Sequence, residues 1–243
     1  MTQPPTDLAL LTHLLTEQWR RLRAWVGQVV GTPVGDQPSV LAGWTVTDLV
    51  VHLGRSMEAL AVCTPAPPDA VPATLAEYLG GYGRSAQDIA ATTRELGTQH
   101  ADDPLAYVDA GAAAAFATLD RLGPADLVVL ARRGPLLLST MVTSRLVELV
   151  VHGDDLARSV HRARGGDAPH DPVDPAAEAH VAQALLDIVL ARVGDAVEVA
   201  DARRWVRLAA GREPYDVDEL ARALRPLDPS DAVPDLGRML PVL

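Results

Sequence analysis

The sequence predicts a mainly α-helical protein. Ala, Leu and Val dominate, aromatics are only 4% of residues and there is a single Phe, a mixture that favours closely packed helices over a β-sandwich. Apolar residues recur at helical spacing in several long segments, and those segments are bounded by capping residues and by Pro or Gly breaks. At 243 residues the chain can bury a sizeable core as one large domain or a domain with a small companion.

The first helix is expected over 6–30, where Leu8, Leu11, Leu15, Leu22, Val26 and Val29 share a face, Thr6 caps the start and Gly31-Thr32-Pro33 ends it. Thr45 with Asp48 three residues on reads as a capping box opening a second helix that runs to about Cys63, before Pro65-Ala66-Pro67-Pro68. A third helical region covers 73–97, weakened at Gly80-Gly81-Tyr82-Gly83, and a fourth covers 103–122. Asp126 to Leu138 has a strand-like or loop character. Ser139 is expected to cap the last long helix, from Thr140 to about His161, which Arg164-Gly165-Gly166 ends. The Gly-, Asp- and Pro-rich stretch 166–175 marks a linker, so the chain divides into residues 1–165 and 176–243. The second part holds helices at 176–193 and 216–224, a short strand at Val197-Glu198-Val199, and a tail expected to pack loosely on the body.

A net charge of −11 argues against nucleic acid and anionic membranes as partners, because phosphate binding needs a basic footprint. All 21 basic side chains are Arg. The absence of Lys excludes a pyridoxal phosphate Schiff base, a P-loop lysine and the kinase ATP lysine. One cysteine, Cys63, permits no internal disulfide and reads as a small buried apolar residue. No window approaches ~18 uninterrupted apolar residues, and the start lacks a signal-peptide pattern. A cytoplasmic monomer or homodimer is expected.

Glu148 and His152 stand four residues apart in an otherwise apolar helical stretch, Leu146 to Leu156, so they project from one face. A buried carboxylate and imidazole cost free energy unless something pairs them, and a divalent metal ion does so. His52 sits in a similar apolar context, Leu49-Val50-Val51-His52-Leu53. One ligand from one helix and two from another suggest a three-ligand site, Zn²⁺ being the usual ion for mixed nitrogen and oxygen donors. Asp155, a turn after His152, is placed to accept from its other ring nitrogen. The bland alternatives are hydrogen-bonded core histidines and a local Glu–His hydrogen bond. Asp154 reads as a solvated neighbour, as do the remaining histidines.

The segments Trp44-Thr45-Val46-Thr47-Asp48-Leu49-Val50-Val51-His52-Leu53 and Arg145-Leu146-Val147-Glu148-Leu149-Val150-Val151-His152-Gly153-Asp154-Asp155-Leu156-Ala157 together resemble the mycothiol-dependent maleylpyruvate isomerase family of DinB-like metalloproteins. The resemblance covers roughly residues 6–163. It implies a DinB-like four-helix bundle with a small C-terminal α/β domain, and Zn²⁺ or another divalent metal held by His52, Glu148 and His152. It also implies mycothiol as thiol cofactor and a small electrophile as substrate. In the isomerase reaction the thiolate adds to a cis double bond, rotation follows and elimination gives the trans product. A transferase stops at the thioether or displaces a leaving group.

A weaker similarity links Trp205 to Arg212 with the family's W-x-x-x-x-G-R segment, although this chain has one extra residue between Trp205 and Gly211. It implies that Arg212 binds or activates substrate, and a guanidinium there offers a bidentate grip on a carboxylate. Arg84 and Arg132-Arg133 are weaker candidates for substrate binding. The competing reading is a DinB-like metal-binding protein without catalysis, acting as a small-molecule sensor or interaction module.

Overall fold

The computed structural model describes residues 7–165, 170–193, 197–228, 230 and 233–243, with residues 84 and 85 described through their backbone only. The fold is mainly α-helical, with small antiparallel sheets. Helix α1 spans Leu8–Val26, and its first N–H groups are taken by the Asp7 carboxylate, 3.0 Å from Ala9 N and 3.2 Å from Leu10 N. Thr6, the expected cap, lies outside the described residues. Helix α2 spans Val46–Ala61 and opens with the expected capping box: Thr45 Oγ1 accepts from Asp48 N, and Asp48 accepts from Thr45 N. The third region breaks at Gly80-Gly81 into α3 (Leu75–Leu79) and α4 (Tyr82–Gln99). Helix α5 spans Pro104–Leu122, with Asp103 as its cap and Pro104 in its first turn.

Thr64–Pro65 forms β1, and the stretch after α5 is a hairpin, β2 (Val128–Ala131) and β3 (Gly134–Leu137), giving a sheet of order β1-β2-β3. Helix α6 spans Leu138–Arg164 and ends at Gly165 in the left-handed region, φ 65°, where a missing Cβ removes the steric cost. Its start corrects the sequence reading. Ser139 lies inside the helix, and Asp126 from the loop before the hairpin accepts from both its N–H (2.8 Å) and its hydroxyl (2.7 Å).

Helices α1, α2, α5 and α6 close into a four-helix bundle. α2 packs on α5 and α6, α1 packs on α6, and an Arg23–Asp109 ion pair ties α1 to α5. Gly54 and Gly111 let α2 and α5 approach closely, because a Cβ on Gly111 would sit 2.8 Å from the Gly54 carbonyl. α4 lies against α2.

Beyond the bundle, α7 (Pro175–Val193) packs on α6 and α1. Then follow β4 (Val197–Val199), α8 (Ala202–Ala209), α9 (Val217–Ala223) and β5 (Leu224–Pro226), with β4 and β5 paired antiparallel. α8 is an addition to the sequence reading. Its Trp205 is fully buried and donates from Nε1 to the Ala182 carbonyl at 2.9 Å. The tail is tied down, with Leu236 buried and Val242 N donating to Ala209 O. Residues 166–169 of the 166–175 linker lie outside the described residues. No helix among the described residues is long and apolar enough to cross a membrane.

Candidate metal centre

The bundle brings His52 of α2 against Glu148 and His152 of α6. One ligand atom from each lies within 4.8 Å of the others, and all three side chains are buried. Glu148 Oε2 is 3.3 Å from His52 Nε2 and 3.3 Å from His152 Nε2. Those separations are long for charge-assisted hydrogen bonds, which run about 2.7–2.9 Å. They match two donors on a common tetrahedral centre, since bonds of roughly 2.0–2.1 Å put neighbouring donors about 3.3 Å apart. The donor set, two imidazoles and a carboxylate, therefore fits a divalent metal ion.

Each imidazole is oriented through its other nitrogen. His152 Nδ1 is 3.0 Å from Asp155 Oδ2, and His52 Nδ1 is 3.2 Å from Thr93 Oγ1 of α4. The Trp44 ring covers both, with its centroid 5.0 Å from that of His52 and 6.4 Å from that of His152. Such partners hold the ring planes, and the Asp155 carboxylate, which can only accept, fixes the His152 tautomer that leaves Nε2 available to a metal. Arg212 extends the relay: its Nε donates to both Asp155 oxygens, at 3.0 and 2.9 Å, and its NH1 to the Ala210 carbonyl.

Burial pushes the His52 pKa down, more strongly than the neighbouring Glu148 raises it. Burial also disfavours charge on His152, but its hydrogen bonds to Asp155 and Glu148 outweigh this and raise its pKa. For Glu148 burial favours the neutral acid, yet the two imidazoles and Arg145 together hold the carboxyl well below its usual range. Asp155 behaves likewise: burial opposes ionisation, while His152 and Arg212 bring its pKa below the usual value. These shifts keep the carboxylates ionised inside the protein.

Sequence reasoning placed His52, Glu148, His152 and Asp155 in one region, and the fold brings them together with Arg212. It did not find Thr93 or Arg145, and it took Trp44 and Tyr82 for packing residues that could also line a pocket. Arg145, three residues before Glu148 on a buried face, carried a signal that was readable. The Arg84 side chain lies outside the described residues. Arg132 and Arg133 are exposed on the hairpin turn, with the Arg133 guanidinium 4.4 Å from the Tyr82 ring centroid. Cys63 is buried just past α2, and burial pushes its thiol up to about 11, which leaves it a poor nucleophile near neutral pH. Asp154 corrects the reading of a solvated neighbour, being buried and held by a bidentate Arg207 at 2.8 and 2.7 Å. His180 is half-buried with an enclosed Nε2, and His100 stacks on Tyr107, so neither is a plain surface group.

Comparison with curated proteins and with solved structures gave no match. The family model of the mycothiol maleylpyruvate isomerase N-terminal domain matches residues 15–157. That span runs from α1 into α6, covers more than half of the chain, and contains His52, Glu148, His152 and Asp155. The chain belongs to the mycothiol maleylpyruvate isomerase N-terminal domain family.

Proposed function

We propose that this protein is a zinc-dependent enzyme that uses mycothiol to attack a small electrophile, in a maleylpyruvate-type cis–trans isomerisation or a thiol S-transfer. The observation that carries this reading is the convergence of His52, Glu148 and His152 ligand atoms within 4.8 Å, inside the span that matches the family. These three residues would hold the ion. When bound there, such an ion lowers the pKa of a coordinating thiol and so supplies a thiolate near neutral pH.

The remaining work falls to the chain's own groups. Thr93 and Asp155 hold the two imidazoles in register, and Trp44 shields their faces from water. In this reading the bundle, residues 1–165, carries the ligands, while residues 176–243 follow the linker 166–175 and complete the pocket. That second part supplies Arg212, whose Nε is committed to Asp155 and whose remaining N–H groups meet a substrate carboxylate.

Two measurements test the proposal. Purified protein should carry about one metal ion per chain, and Glu148→Ala should lose metal and thiol-dependent activity together. Unchanged occupancy in that variant rejects the ligand assignment. Incubation with mycothiol and a panel of electrophiles should yield isomerised product or thioether by mass spectrometry. A metal-loaded protein that gives no product across a broad panel rejects the enzymatic reading.

A further inference from the structure

One buried charge beside the site has no part in that reading. Arg145 lies in α6 one turn before Glu148, is 2% exposed, and is the only buried arginine among the described residues. Its guanidinium donates to the Ser56 carbonyl of α2 at 2.6 Å, the Tyr82 hydroxyl of α4 at 2.8 Å and Ser144 Oγ at 3.3 Å. All three acceptors are neutral. A buried cation satisfied only by neutral acceptors is costly unless an anion nearby offsets its charge.

Glu148 follows three residues later on the same side of α6, and its negative charge acts on Arg145 and on the Tyr82 hydroxyl while its carboxylate lies 3.3 Å from each imidazole. Arg55, one turn after His52 in α2, faces the same carboxylate while its NH1 bonds to the Ile89 carbonyl. On the other flank Asp155 is paired with Arg212 at 2.9 Å. Each buried carboxylate of the centre thus has an arginine opposing its charge before any metal enters. A carboxylate ligand ordinarily neutralises part of a metal's charge, and here that neutralisation is offset from within the protein.

We propose that Arg145 is a positioning residue acting through Glu148. Its fixed charge offsets the carboxylate, so that a divalent ion on His52, Glu148 and His152 is held less tightly than the ligands allow and keeps its charge for an incoming anion. The inference rests on the metal-site reading of the triad. It explains why a cation is buried at a place where it repels another. Even at about 10 Å and an effective dielectric of about 20, a single and a double positive charge repel by well over tenfold in an equilibrium constant. A purely structural role, stapling α2, α4 and α6 together, predicts the opposite sign, because loss of the staple loosens the ligands.

The test compares wild type with Arg145→Gln, which is neutral but still donates hydrogen bonds, and with Arg145→Lys, which keeps the charge. Co²⁺ affinity is measured by competition with a chromophoric chelator, and thiocyanate binding to the Co²⁺-loaded protein by its visible spectrum. Arg145→Gln should bind Co²⁺ at least about tenfold more tightly and thiocyanate at least about tenfold more weakly. Arg145→Lys should stay within about threefold of wild type in both, as the charge is retained. Unchanged or weaker Co²⁺ binding in folded Arg145→Gln overturns the proposal. Should that variant not fold, Arg145→Lys and Tyr82→Phe decide the matter: both keep the charge, and a loss of metal affinity beyond about tenfold in either assigns the effect to geometry. Wild-type protein that binds no stoichiometric metal refutes the site itself, whereas metal binding that ignores Arg145 refutes only this role.

Discussion

His152 is steered by Asp155, and Asp155 is steered in turn by Arg212, so an acid titration reads the relay directly. Asp155 has a folded pKa below its ordinary value of 3.8, set by burial opposed by His152 and Arg212. The folded state therefore binds fewer protons than the unfolded one as pH drops below 3.8, and stability present above that value is lost as pH falls through the folded pKa. Asp155→Asn should remove that part of the acid slope in urea unfolding of the metal-free protein, and should weaken metal binding about tenfold. An unaltered slope and affinity would mean that Asp155 does not orient His152. At this scale the sequence was informative where two residues shared one helix: Glu148 and His152 are four apart, and their spacing alone fixes a common face. Thr93 reaches His52 from α4, elsewhere in the chain, and nothing in its local pattern points there.

Helix ends and helix crossings follow different rules. The capping box at Thr45–Asp48, the break at Gly80-Gly81 and the stop at Gly165 are local chemistry and were readable. The start of α6 was not, because its Ser139 N–H is satisfied by Asp126 across the hairpin. α8 was missed because it is only eight residues long, Ala202–Ala209, too short for a convincing periodic signal. The α2–α5 crossing depends on two glycines: a Cβ at Gly54 would meet the Tyr107 ring at 2.9 Å, and one at Gly111 the Gly54 carbonyl at 2.8 Å. Gly111→Ala must push α2 away from α5 at a cost of about 1–3 kcal/mol. Because His52 lies two residues before Gly54, metal affinity should fall along with the urea midpoint. Wild-type stability in that variant would show that the crossing has slack.

Across the whole molecule, the second part of the chain is held to the bundle through α1 as well as α6. Asp154 and Asp155 are neighbours on that helix, and they take Arg207 and Arg212 respectively. Arg207→Ala leaves the buried Asp154 carboxylate without its bidentate partner, and should cost about 1–3 kcal/mol once the partial exposure of Arg207 is allowed for. Chemical denaturation measures that cost, and a change under about 0.5 kcal/mol would place the docking energy in the apolar contacts of α7 instead. By itself the sequence determined the helical class, most helix boundaries and the common face of the candidate ligands Glu148 and His152, because periodicity, caps and i, i+4 spacing are properties of adjacent residues. Only the tertiary structure decided that His52 meets the Glu148–His152 pair, that Arg212 grips Asp155, and that Arg145 of α6 bonds to Ser56 of α2 and Tyr82 of α4. Those contacts join residues far apart in the chain, and they form only once α2, α6 and the C-terminal segment bury their apolar faces against one another.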